Sequence, residues 1–460
     1  MIRYMPFYQQ HFSGLRPIFL IGILIGVFFY LMNLGSTIPI IQPDEGMNFS
    51  IGSVFAGYQN DAAGGYSLGY PLVLSPAFWV EGEPSEVWQR IKLINAVLVV
   101  FFFVGLERLA LRLKPDSFTG ERIFAAGLVT LYPAWITLTG SAFSQIALAP
   151  TVVWAGVLLI SSFKAGGLLP PFLLGCLTGF ASWLHPTGIM VLVGITVAVT
   201  LAMIVQRTWL RLGAFCMAVG FTLVIESIVI EPWVLQQMSL SGLPVNSHYG
   251  NSARILGPLM EPESFLRVVS ALGGHVFYLV AGSMGLAFVG VAVASHRLVS
   301  SAMEKERPFI EGINVFWLAM GFTLFATLLI SVLNIYSVDM VHRLDHHIYG
   351  RYTESYISPF LLAGVLFRPR WALWLSIPVA LVAGLIAYSV LDLSAPFAPF
   401  NISAFWPWLI VRSWGYLVWL GLAVGLLTKV VVLPKKFATA CIAGMFEFSG
   451  WRLTEWRSIA

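Results

Sequence analysis

Long apolar runs, broken by short polar stretches, recur along almost the whole chain. Each is long enough for a helix across a hydrocarbon core of about 30 Å. By that criterion about twelve spans are predicted, near 17–41, 92–107, 121–138, 145–163, 168–184, 187–206, 212–230, 270–294, 313–334, 355–367, 371–391 and 406–428. The run near 355–367 is short, and the pair 168–184 and 187–206 is split only by "LHPTG". A transmembrane barrel would alternate apolar and polar positions instead. The pattern therefore predicts an all-α polytopic membrane protein. Nothing in it marks a linker, an internal repeat or a soluble domain, so residues 1–460 are read as a single transmembrane domain.

Composition agrees: of 460 residues 58% are hydrophobic and 10% charged, against about 25% charged in soluble proteins. The run 17–41 is too long for a signal-peptide core and has no small-residue cleavage site before Asp44, so it reads as a retained helix. The three cysteines, Cys176, Cys216 and Cys441, form no CxxC and no disulfide framework. A net charge of +4 is no signal for nucleic acid.

The distribution of charge says more. Alternate loops carry Arg3 and Arg16; Arg108, Arg112, Lys114 and Arg122; Lys164; Arg207 and Arg211; Arg297, Lys305 and Arg307; Arg368 and Arg370; and Lys429, Lys435 and Lys436. The positive-inside rule then sets both termini in the cytoplasm. The carboxylates gather in the opposite loops, which are long at about 42–91, 231–269 and 335–354. Within the first, "PAFWV" and "PSEVWQRIKLIN" read as short helices lying on the membrane surface. Tyr66 and Tyr70, among Gly64, Gly65 and Gly69, suit the headgroup interface.

Chemistry gathers at the same outer ends. Asp44 and Glu45, in "IIQPDEGMNFSIG", follow the first span within one turn. A solvated loop would explain them, but a partly desolvated carboxylate there can also serve as a general base. "VDMVHRLDHHIYGRYTESY" collects Arg343, Asp345, His346, His347, Arg351, Tyr352 and Glu354. The arginines suit bidentate phosphate binding. Asp345, His346 and His347 are metal-ligand types, but adjacent histidines share neither a helix face nor a strand face, so no metal site is assigned and a divalent ion stays open. In a helix Arg351 and Glu354 would share a face. His185 occupies the tight turn of "ASWLHPTGIM", Gln145 opens the fourth span, and Glu226 lies near the outer end of another. No Walker, GxGxxG, GxSxG or zinc motif occurs, so any energy must enter on a membrane-borne donor or a gradient.

These features resemble the GT-C glycosyltransferases, polytopic enzymes that use polyprenyl-phosphate sugars. The acidic pair after the first span resembles their signature. "YSLGYPLVLSP" resembles the stretch that follows it, and "LLGCLTGFASWLHPTGIMVLV" resembles their glycine-spaced helix pair, with His185 where a cation is common. "YPAWITLTGSAFSQIALAPTVV" has Gln145 where an acidic residue is usual. The likeness covers roughly residues 1–200, most of it from residue 17 on. It implies an inverting transfer to a glycan or lipid acceptor at the outer face of a bacterial inner membrane, with membrane lipids as partners and no nucleic acid. It further implies Asp44 as base, or Glu45 if the pair is set the other way, and Arg351 on the departing phosphate with His185 or Arg343 assisting. Tyr70, Tyr352, Glu354, His346, His347 and Gln145 complete the expected substrate site, and Asp44, Tyr70, His185 and Arg351 are expected to line one cavity. Two other classes remain: a secondary transporter or lipid flippase, which would favour an internal repeat and midplane charges, and a polysaccharide polymerase or ligase of another membrane fold.

Overall fold

The structure is a computed structural model, and it describes residues 5–36, 43–58, 67–164, 167–238, 262–303, 311–337, 348–388 and 403–405. All regular structure among them is helical. The helices are α1 (Met5–Met32), α2 (Pro43–Phe55), α3 (Gly69–Leu74), α4 (Pro84–Leu113), α5 (Thr119–Thr130), α6 (Pro133–Thr139), α7 (Gln145–Lys164), α8 (Leu169–Leu184), α9 (Gly188–Val205), α10 (Trp209–Val224), α11 (Glu231–Met238), α12 (Pro262–Gly282), α13 (Leu286–Met303), α14 (Gly312–Ser337), α15 (Arg351–Phe367) and α16 (Arg370–Tyr388). Six of the described helical stretches are long and apolar enough to cross a membrane, or seven if the bent pair α5–α6 is one span. The span predicted near 406–428 lies outside the described residues.

The apolar runs form helices close to where they are predicted, with two corrections. The run 270–294 is two helices, because the chain turns between α12 and α13 at Met284 and Gly285, with φ of 53° and 81°. The segment "PSEVWQRIKLIN" is not a separate surface helix but the start of α4, a continuous helix of 30 residues. At 1.5 Å per residue such a helix outruns a hydrocarbon core of about 30 Å, so its first turns can stand beyond the core without breaking. Arg90 on those turns donates to the Ala77 carbonyl at 3.1 Å, tying α4 to the 3₁₀ turn Ser75–Phe78 that follows α3. Trp79 and Val80, just after that turn, are exposed.

The chain divides into two compact units. The first comprises Met1–Leu131, Leu138–Gly250 and Ser295–Phe325, the second Tyr132–Thr137, Asn251–Ala294 and Ala326–Ala460. In the first, α4 packs on α1 and α7, and α8 packs on α7, α9 and α10. Glycines let α8 and α10 come close: a Cβ on Gly175 would lie 2.8 Å from Ala218 Cβ, and one on Gly179 2.8 Å from Thr222 Cβ. Where lipid replaces water, such close packing replaces the hydrophobic driving force. At one end of α4, Glu107 is fully buried and receives Arg122 Nε at 2.9 Å, while Lys114 pairs with Glu121 at 2.9 Å. Basic residues of that predicted cytoplasmic turn thus lock the α4–α5 hairpin. In the second unit α12 packs along α16.

Candidate functional site

In the first unit the acidic pair opens α2. Pro43 starts the helix and Asp44 and Glu45 occupy its first turn, where free backbone N–H groups favour negative charge. The two carboxylates have different surroundings. Asp44 is half-buried, whereas Glu45 is 1% exposed. Glu45 Oε1 accepts the Ala142 N–H at 2.8 Å, and Asn48 Nδ2, one turn on, donates to the Ala142 carbonyl at 2.8 Å. One face of α2 therefore grips both sides of a single residue in the loop between α6 and α7.

Other helices grip the same loop. Asn95 of α4, fully buried, donates to the Thr139 carbonyl at 3.2 Å and the Ser141 carbonyl at 2.8 Å. Asn33, at the end of α1, donates to Thr139 Oγ1 at 3.2 Å. Lys92 is 1% exposed and donates to the Asn33 and Ser36 carbonyls, both at 2.7 Å, with its ammonium 5.9 Å from the Trp88 ring centroid. A cation suits the carbonyl end of a helix. A buried polar network partnered in this way specifies one arrangement, since each lost partner strands a buried group.

Tyr70, expected at the headgroup interface, is instead completely buried, and its hydroxyl donates to Asn95 Oδ1 at 2.8 Å. Gly69 explains the position: a Cβ there would stand 2.8 Å from the Trp183 backbone carbonyl carbon, so only glycine lets α3 rest on the end of α8. Burial, joined by the nearby Glu45 charge, pushes the Tyr70 phenol well above its ordinary value, and it stays neutral.

His185 caps the same end of α8 and is 7% exposed. Its Nδ1 accepts the Thr187 N–H at 3.1 Å and lies 2.7 Å from Thr187 Oγ1. The proton of the neutral ring is then on Nε2, which faces the Gln145 amide nitrogen at 3.3 Å. Turning that amide about its axis brings its oxygen to the Nε2–H. Protonating Nδ1 as well would set two donors against each other. Gln145 is 2% exposed. This pair ties the α8–α9 turn to the start of α7, three residues beyond Ala142. The geometry suits a neutral brace better than the phosphate-binding cation expected for His185.

In the second unit Arg351 and Glu354 open α15, three positions apart on one face, as a helix requires. Arg351 is half-buried, with its guanidinium carbon 5.8 Å from the Tyr352 ring centroid. The Tyr352 ring lies 4.8 Å from that of Tyr349. Glu354 is fully buried; its Oε1 accepts the Tyr278 hydroxyl and, at 2.7 Å, the Ser403 hydroxyl. Tyr278 Oη in turn accepts the Ala404 N–H at 2.9 Å. Arg343, His346 and His347 lie outside the described residues. No group of three metal-ligating side chains occurs among the described residues.

The sequence pattern picks out Asp44, Glu45, Tyr70, Gln145 and His185, and all lie on α2, α3, α7 and the α8 end of the first unit. It misses Asn33, Asn48, Lys92 and Asn95. A signal for them exists, since each is a polar side chain at or inside an apolar run.

No protein-family model matches the chain, and no curated protein matches it in sequence. Solved structures do resemble it. ArnT from Cupriavidus metallidurans in the apo state matches 94% of this chain and 76% of its own at 13% identity, with a TM-score of 0.49. The same protein bound to undecaprenyl phosphate matches 94% and 74% at 15% identity, with a TM-score of 0.47. The oligosaccharyltransferase AglB from Archaeoglobus fulgidus, in complex with an inhibitory peptide and a dolichol-phosphate, matches 90% of this chain at 12% identity, with a TM-score of 0.44. This chain spans 60% of that protein's length. Both neighbours are GT-C membrane glycosyltransferases, and at these scores no residue of this chain takes a role from them.

Proposed function

We propose that the chain is an inverting glycosyltransferase that moves a sugar from a polyprenyl-phosphate donor to a hydroxyl of a glycan or lipid at the outer face of the membrane, with both termini cytoplasmic. The observation that supports this most is the asymmetry of the acidic pair. Glu45 is buried and committed to the Ala142 amide, while Asp44 is half-buried on the same anchored turn. A base needs a fixed backbone and a carboxylate within reach of solvent and substrate, and Asp44 has both.

In this reading the acceptor oxygen attacks the anomeric carbon on the face opposite the phosphate. The carbon–oxygen bond to phosphate breaks, and its electron pair leaves with the polyprenyl phosphate. Asp44 takes the acceptor's proton, and the Arg351 guanidinium stabilises the departing phosphate. The donor bond is already activated, so no nucleotide is consumed. Tyr70, Gln145 and His185 brace the frame, and Tyr352 packs beside Arg351.

The test uses purified protein and a short-chain polyprenyl-phosphate sugar, with release of lipid phosphate as readout. Asp44→Asn keeps the size but cannot take the proton. Turnover should fall by about 10²–10⁴-fold, the usual worth of a general base, with donor affinity retained. Full activity in both Asp44→Asn and Glu45→Gln would overturn the reading.

A further inference from the structure

Glu354 is bonded on one side only. Its Oε1 accepts two hydroxyls, Tyr278 and Ser403, while Oε2 is buried and has no hydrogen-bond partner. Two further buried hydroxyls without a partner belong to the same unit: Ser358 Oγ, one turn along α15, and Tyr132 Oη, whose ring is coupled electrostatically to Glu354. The groups that act on the carboxylate are Tyr278 and Tyr132, both neutral, the Ser403 hydroxyl, the Ala404 backbone N–H, and Arg351 as the charged one.

Such an enclosure accommodates two states. Ionised, the carboxylate has two hydroxyl donors and the Arg351 charge against the cost of burial. Protonated on Oε2, it gains a donor where bare hydroxyl oxygens are available, and it no longer claims the Arg351 charge. An anion brought to Arg351 shifts the balance, because two negative groups would then share one guanidinium.

We infer that Glu354 positions Arg351 and trades its negative charge for a proton when Arg351 takes the phosphate of the lipid donor, so that donor binding and proton uptake are linked. This rests on Arg351 being the phosphate ligand proposed above. It makes Glu354 a positioning residue that sets the pH range over which anionic lipid is held.

The experiment measures donor binding to the full-length protein in detergent as a function of pH. The probe is a polyprenyl-phosphate sugar, a phosphodiester with no proton to exchange near neutral pH, so any proton taken up enters the protein. Titration calorimetry in buffers of different ionisation enthalpy counts those protons. The wild type should bind with uptake of up to one proton, and affinity should rise as pH falls, by at most about 10-fold per pH unit. Glu354→Gln should bind without proton uptake or slope, and at alkaline pH at least as tightly as the wild type. Tyr278→Phe removes one donor from the ionised carboxylate and should move the slope to higher pH; it serves if the glutamine variant fails to fold. A purely structural Glu354 predicts a flat wild-type profile and a variant weakened equally at every pH. That result, or a slope that survives in Glu354→Gln, overturns the inference and leaves the transferase reading standing. Absence of donor binding in the wild type overturns both.

Discussion

Each unit of this protein buries a glutamate at the first turn of a helix, and the two are held in different ways. Glu45 of α2 accepts a backbone N–H from a loop 97 positions away in sequence. Glu354 of α15 accepts two side-chain hydroxyls and has its second oxygen bare. A backbone amide cannot turn away or give up its proton, so Glu45 is a fixture. Hydroxyls rotate and both donate and accept, so the enclosure of Glu354 tolerates a change of proton. Burial alone therefore does not separate a structural carboxylate from a working one; the kind of partner does.

The comparison can be broken most sharply beside Glu45. If that residue is the fixture and Asp44 the base, Asp44→Asn loses about 3–5 kcal/mol of transition-state stabilisation, the energy equivalent of its expected rate loss, while its melting temperature in detergent stays near wild type. Glu45→Ala should do the reverse. It strands the buried Ala142 N–H at a cost of about 1–3 kcal/mol, read as a lower melting temperature. Glu45→Gln keeps an acceptor oxygen and should recover most of that loss. A Glu45→Ala protein of unchanged stability would remove the distinction.

A smaller effect sharpens the picture of the frame. Tyr70→Phe leaves Asn95 Oδ1 without its 2.8 Å donor and should cost about 1 kcal/mol. It also carries a pH signature. The folded-state phenol is pushed above its ordinary value of about 10. Its contribution to stability is then fully present below that value and is lost as pH rises above it, where the unfolded chain sheds a proton that the folded one retains. Denaturation midpoints of the wild type should decline above about pH 10, and Tyr70→Phe should decline less. Equal declines would mean that the phenol is not buried as described.

Much of the fold is legible in the sequence. The apolar runs of α4, α7, α8, α9 and α14 mark their helices almost to the residue, because a helix in hydrocarbon must satisfy every backbone group within itself. The turn at Met284 and Gly285 is not legible, since "LVAGSMGLAF" is apolar throughout and the run shows no charge to interrupt it. The acidic pair stands out by its place at a span end. Asn48, Lys92 and Asn95 do not, because a lone polar residue in an apolar run does not reveal its partner, and here the partners are carbonyls of residues 44 to 94 positions away.

The sequence by itself determined that this is a helical membrane protein, where most of its helices run, and that charged and aromatic chemistry collects at their ends. Those properties follow from hydrophobicity and charge, which each residue carries regardless of its neighbours. Only the tertiary structure decided that Glu45 is enclosed against the Ala142 amide while Asp44 is half-buried, that Tyr70 is buried rather than interfacial, and that the neutral His185 carries its proton on Nε2. These depend on which donor meets which acceptor at about 3 Å, and that is settled by packing between segments far apart in the chain.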